Sequence, residues 1–177
     1  MLNFITKLKS YLPTWLRIFL HKLYFNNLIT LIENILHKNK IKHRELIIED
    51  KDKIISNFTR SLIRHNLYEK YELEASSILF NKPEDLIDLG SSIGIVSLST
   101  AMKQKRKKIV LVEPVIEYLE FSKNLFHQYS ENTHHFVNKA VDYSNKDIFL
   151  EKKDILNSEI NYLDGKNIDK ITLSQIV

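Results

Sequence analysis

Only three glycines occur in 177 residues, and two of them stand four apart in Asp88-Leu89-Gly90-Ser91-Ser92-Ile93-Gly94, directly after the apolar pair Leu86-Ile87. An aspartate closing a short strand, then glycine at the start of a turn and again at the mouth of a helix, describes a nucleotide-binding turn. Glycine lets the backbone turn tightly and admits a ligand close to it. A chain so poor in glycine that spends two of them here commits residues 86–94 to strand, turn and helix start.

The pattern on either side extends this unit. Leu86-Ile87-Asp88-Leu89 reads as a buried strand and Ile93 to Met102 as the helix after it. A cationic loop, Lys103 to Lys108, leads into the strand Ile109-Val110-Leu111-Val112, closed by Glu113-Pro114. Val115 to Tyr129 gives a further helix and His135-Phe136-Val137 a third strand. Strands alternating with helices predict a parallel α/β sheet. Later strands are expected at Asp147 to Glu151 and at Lys170 to Leu173. Upstream, residues 50–80 predict two helices, one with the apolar face Ile54, Ile55, Phe58, Leu62 and Ile63, the other with Tyr71, Leu73, Ser77, Ile78 and Leu79.

In a doubly wound sheet the ligand lies beyond the carboxyl ends of the strands. Those ends carry Asp88 to Gly94, Glu113, and Asn138 to Val141. Glu113 follows Gly90 by 23 residues, close to the offset of about 20 at which an acidic residue reaches ribose hydroxyls. The dinucleotide fingerprint needs a middle glycine, which Gly90-Ser91-Ser92-Ile93-Gly94 lacks, and no Gly-Lys-Ser/Thr phosphate loop is present. Asp88 would repel phosphate but would accept a hydrogen bond from an ammonium group. The residues point to S-adenosylmethionine, which carries both an ammonium and a sulfonium.

Leu86 to Gly94, Val112-Glu113-Pro114 and Val137-Asn138-Lys139-Ala140-Val141-Asp142 together resemble the FkbM-type S-adenosylmethionine-dependent methyltransferases. That family shows an Asp-x-Gly-Ala-Asn-x-Gly turn, a Glu-Pro after the second strand and an Asn-Lys-Ala after the third. Tyr71-Glu72-Leu73-Glu74 is similar to a Tyr-Glu segment upstream of the family's turn, and the resemblance covers about residues 68–177. It implies an α/β, Rossmann-like methyltransferase fold and methyl transfer to an oxygen, commonly a sugar or glycan hydroxyl. By position, Asp88, Gly90, Ser91 and Gly94 would shape the methionine end, Glu113 would hold the ribose, and Asn138 with Ala140 would lie near the adenine. Glu72 would sit at the rim. Ser91-Ser92 replaces the family's Ala-Asn. In the family a fourth strand with Lys-x-Asp-x-Glu-Gly follows the segment resembling Ile171 to Ile176, whereas this sequence ends at Val177. The expected fold is therefore incomplete, with one edge of the first strand unpaired, and no catalytic base is assigned.

Charge separates the chain into two parts. Residues 1–43 hold seven Lys/Arg and one Glu, a balance of +6, which leaves about −2 for residues 44–177. Nucleic-acid binding by the α/β part is not expected on this count, since phosphate contacts need cations there. The expected organisation is a basic amphipathic helical extension over 1–48, then the partial methyltransferase domain over 49–177. In the extension Trp15, Leu16, Ile18, Phe19, Leu20, Leu23, Tyr24, Leu28, Leu31, Ile32, Ile35 and Leu36 recur at helical spacing, opposite Arg17, His21, Lys22, Asn26, Glu33 and His37. Charges break every apolar run well short of a membrane span. Such a helix suits either an anionic membrane surface or packing on the domain, which places the protein in the cytoplasm or at a membrane periphery. Cysteine is absent, which excludes disulfides and thiolate metal sites, and no metal is expected. Three functional readings stand: an S-adenosylmethionine-dependent methyltransferase, a cofactor-binding module completed by a partner chain, and a membrane-surface helical protein with a relic half-Rossmann part.

Overall fold

In a computed structural model, the structure describes residues 13, 35–36, 40–80, 82–103, 108–144, 147, 149–151, 159–161 and 166–176. Of the predicted helix with its apolar row from Trp15 to Leu36, residues 15–34 lie outside them, and Ile35 and Leu36 are helical. The first elements are β1 (Lys40–His43) and β2 (Leu46–Glu49), an antiparallel hairpin in which His43 pairs with Leu46 and Lys40 with Glu49. Residues 40–48 thus form a hairpin where the sequence predicts the end of a helical extension. The cause is a period-2 pattern: Ile41, His43, Leu46 and Ile48 all face inward and are buried. A buried histidine in that row makes the alternation hard to see in the sequence.

Asp50, at the end of the hairpin, organises the turn into the first helix. Its carboxylate accepts from the Ile54 and Ile55 N–H groups at 2.8 and 3.0 Å and from Arg60 Nη2 at 2.6 Å. Arg60 lies on α1 (Asn57–Arg64), which Ser56 caps by accepting from Thr59 N. α2 (Lys70–Leu79) comes after a tight turn through Asn66, whose φ is 55°. Of the apolar face predicted for α2, only Leu73 is buried, together with Ser76, while Tyr71, Ile78 and Leu79 are exposed.

The central unit is β3 (Leu86–Leu89), α3 (Ile95–Lys103), β4 (Ile109–Val112), α4 (Ile116–Tyr129) and β5 (His134–Val137). The three strands pair in parallel, as the alternation of strand and helix predicts, and the structure sets them in the order β3-β4-β5. β4 is buried along its whole length because both sheet faces are covered. Ile109 and Leu111 join the main core with Ile93, Leu98, Leu119 and Phe126, whereas Val110 and Val112 pack on the other face with Ile176, Ile87, Val137 and Ile171. The main core also takes in Ile41, Leu46 and Ile48, so hairpin and sheet share one apolar interior. Among the described strands β3 pairs only with β4, leaving its other edge without a strand.

Beyond the sheet, β6 (Ala140–Val141) pairs in parallel with β10 (Lys170–Ile171). Between them β7 (Phe149–Glu151) pairs antiparallel with β8 (Glu159–Asn161) and β9 (Lys166–Asn167). The chain continues from β10 into the short helix α5 (Leu173–Ile176). No described helix is long and apolar enough to cross a membrane.

Candidate functional site

The glycine turn links β3 to α3 at the carboxyl end of the sheet, which is where the sequence places it. Gly90 N and Ser91 N donate to Val112 O at 2.8 and 3.1 Å, so the turn folds back over the end of β4. Three bends in it are met by left-handed backbone: φ is 78° at Gly90, 50° at Ser92 and 73° at Gly94. A Cβ on Gly94 would come within 2.9 Å of Ser122 Oγ and 3.2 Å of Leu111 Cδ2, so this glycine permits close packing of the turn on α4. A Cβ on Gly90 would meet nothing within 4 Å, and open space lies above it.

Glu113, at the end of β4, reaches across to the turn. Its Oε2 accepts from Ser92 N and its Oε1 from Val115 N, each at 2.8 Å. The side chain is buried and ties the two strand ends together. Each carboxylate oxygen offers two lone pairs, so one on each remains for a ligand hydroxyl. Asn138 Nδ2 donates to the carbonyls of Glu113 and Pro114, both at 2.9 Å, and so clamps the same strand end from the third strand. Ala140 is buried in β6, opposite Lys170. Asp88 accepts from the hydroxyl of Ser97 on α3. Ser91 is buried, and its Oγ has no hydrogen-bond partner.

Two residues that the sequence did not single out enter this cluster. The Tyr68 hydroxyl lies 3.4 Å from Ser92 Oγ, and Tyr68 is buried. Glu69, next to it, holds a left-handed backbone with φ 44° at the head of α2. The predicted pair Tyr71-Glu72 lies one helical turn further on and is exposed, Tyr71 by 78%. Tyr-Glu occurs at 68–69 and again at 71–72, and only the direction in which α2 leaves its turn decides which pair faces the glycines.

The electrostatics of the cluster are uniformly acidic. Burial raises the pKa of Asp88, against the Ser97 hydroxyl that donates to it. Glu113 is raised for the same reason, against its two N–H bonds, and the charge of Asp88 adds to the rise. Glu69 is pushed up to about 7, first by burial and then by Asp88 and Glu72, while a bond from Tyr68 opposes the shift. Burial also raises Tyr68. Among the described residues, no Lys, Arg or His forms an ion pair with Glu69, Asp88 or Glu113. Such a group of carboxyls gains from a cationic ligand and resists a phosphate. The three carboxyl acceptors beside the open space above Gly90 therefore suit a cationic ligand better than an anionic one. Among the described residues no group of three or more metal-binding side chains is assembled. The chain matches no protein-family model, no curated protein and no solved structure.

Proposed function

We propose that this protein binds S-adenosylmethionine at the carboxyl end of the β3-β4-β5 sheet, as a Rossmann-like methyltransferase of the FkbM type acting on a sugar or glycan hydroxyl. The observation that carries the reading is the set of three partly or fully buried carboxyls, Glu69, Asp88 and Glu113, around a glycine turn with no ion-pairing cation among the described residues. Asp88 and Glu69 would accept from the ammonium at the methionine end. Glu113 would hold the ribose hydroxyls with its two remaining lone pairs, and Gly90 and Ser91 would border the ligand. Gly94 supports the turn by letting α4 approach, and Asn138 fixes the backbone of Glu113. Ala140 would lie near the adenine. When bound, the cofactor supplies an electrophilic methyl group, and the acidic surroundings favour its positive charge. No catalytic base is assigned.

The test is isothermal titration of the chain with S-adenosylmethionine and S-adenosylhomocysteine. Binding of both is expected, weakened more than tenfold by Glu113→Gln, a loss in the range of hydrogen bonds to a charged group. Gly90→Ala is expected to weaken binding as well, because its methyl group enters the open space above the turn and strains a backbone held at φ 78°. Absence of heat with both ligands, or preferential binding of a nicotinamide dinucleotide, would overturn the reading. A second reading, in which a partner strand completes the sheet before the cofactor binds well, is favoured by the unpaired edge of β3 among the described strands. It predicts that cofactor affinity rises with protein concentration, in step with self-association.

A further inference from the structure

We infer that the exposed apolar face of α2 is the docking surface for the chain's own basic N-terminal segment, residues 1–39, through its apolar row from Trp15 to Leu36. On α2, Leu73 and Ser76 turn into the core, while Tyr71, Ala75, Ile78 and Leu79 follow one another at helical spacing on the opposite side. Tyr71, Ile78 and Leu79 are 78%, 72% and 71% exposed, and half-exposed Phe80 prolongs the stripe past the helix end. A contiguous apolar stripe marks an interaction surface, unlike single apolar residues scattered over a surface. Glu72 flanks it on one side and Glu74 on the other. Lys70, the one cation on this helix, is engaged by Glu74 at 3.8 Å and lies over the Tyr71 ring. Leaving out Glu69, which faces the glycine turn, residues 70–85 carry four carboxylates against two lysines, a balance of −2.

The occupant must then be apolar along one side and basic overall, and residues 1–39 supply that combination, with five Lys/Arg against one Glu, a balance of +4, and an apolar row from Trp15 to Leu36. The described end of this segment, Ile35 and Leu36, is helical with each residue 70% exposed, so apolar surface is uncovered on both members of the pair. Reach is sufficient. Residues 15–36 in helical form would span about 33 Å at 1.5 Å per residue, comparable to the breadth of a small domain. Only residues 37–39 separate them from β1, whose Ile41 belongs to the same core cluster as Leu73 of α2. The tether therefore starts on the body that carries the stripe. An anionic lipid surface would be repelled by the carboxylates beside the stripe, and would compete for the segment instead. The inference does not depend on what the glycine turn binds.

Trp15 is the chain's only tryptophan, so its fluorescence in the full-length protein reports on the segment directly. Without lipid and at low salt, its emission is expected to be blue-shifted and shielded from iodide. The double variant Tyr71→Glu/Ile78→Glu alters exposed positions only, and far-ultraviolet circular dichroism should show the fold retained. In it, Trp15 emission should move to that of free tryptophan. Because the chain has no cysteine, Leu28→Cys with Ala75→Cys gives a second readout, a bismaleimide cross-link within one chain that is lost in the double variant. Identical Trp15 emission in wild type and double variant would overturn the proposal. So would cross-links formed only between chains, which would assign the stripe to a second copy. A blue shift seen only after adding phosphatidylserine–phosphatidylcholine vesicles would overturn it too, in favour of a lipid surface.

Discussion

Gly90 and Gly94 share a left-handed backbone, but different surroundings constrain them. At Gly90 the left-handed φ alone penalises a side chain, about 1–2 kcal/mol for an added Cβ. At Gly94 the same penalty applies, and the new methyl group also collides with Ser122 and Leu111, which adds about 1–3 kcal/mol of overpacking. Gly94→Ala should therefore lower the urea midpoint clearly more than Gly90→Ala, with an unchanged slope. Equal losses would show that the turn does not press on α4. The sequence made both glycines conspicuous, since spacing and scarcity are visible there. It did not show that one faces open space and the other a packed helix, because Ser122 and Leu111 come from distant stretches of chain. Glu69 went unnoticed for a related reason: its neighbourhood with Asp88 exists only once α2 has been set against β3.

Among the elements, the junction between hairpin and α1 rests on one buried ion pair. Asp50 and Arg60 are 1% and 2% exposed, and each has further bonds to backbone, so neither charge is left unsatisfied. Removing one partner strands the other in the interior, at a cost of about 3–5 kcal/mol. Arg60→Ala should thus rank among the most destabilising substitutions in the chain, and Asp50→Ala/Arg60→Ala should lose clearly less than the two single losses combined. Additive losses in chemical denaturation would contradict a coupled pair. The strands β3, β4 and β5 and the helices α3 and α4 were all legible in the sequence, within a residue or two at their ends. Their apolar runs are continuous because both faces of the sheet are covered. The hairpin was not legible, and neither was the outward face of α2, since an apolar helix stripe looks the same whether it is buried or bare.

For the molecule as a whole, the acidic cluster should leave a mark on stability. Glu69 titrates at about 7 in the folded chain, against an ordinary value of 4.5. Between those values the folded state holds a proton that the unfolded state has released, so stability falls as pH rises through that window. Glu69→Gln removes the effect. The variant should match wild type below about pH 4.5 and gain on it up to about pH 7, by on the order of 3 kcal/mol, and stay level above. Parallel stability curves would refute the assignment. His43 works in the opposite sense: burial lowers its pKa, so its contribution is present above the ordinary value of 6.5 and is lost as the pH drops. Since His43 is common to both proteins, the difference between their curves isolates Glu69.

The sequence by itself determined the strand–turn–helix unit around Gly90 and Gly94, the alternation of strands and helices that makes the sheet parallel, and the basic character of residues 1–43. All of these are local, carried by spacing, periodicity and charge over short windows. Tertiary structure alone decided that the two Glu113 oxygens hold the turn, that Asn138 clamps the strand end, and that Glu69 rather than Glu72 faces Asp88. It alone decided, too, that Tyr71, Ile78 and Leu79 point away from the core. The physical reason is the same in each case. Those contacts join residues far apart in sequence, and they depend on how helices cross the sheet, which no local pattern encodes.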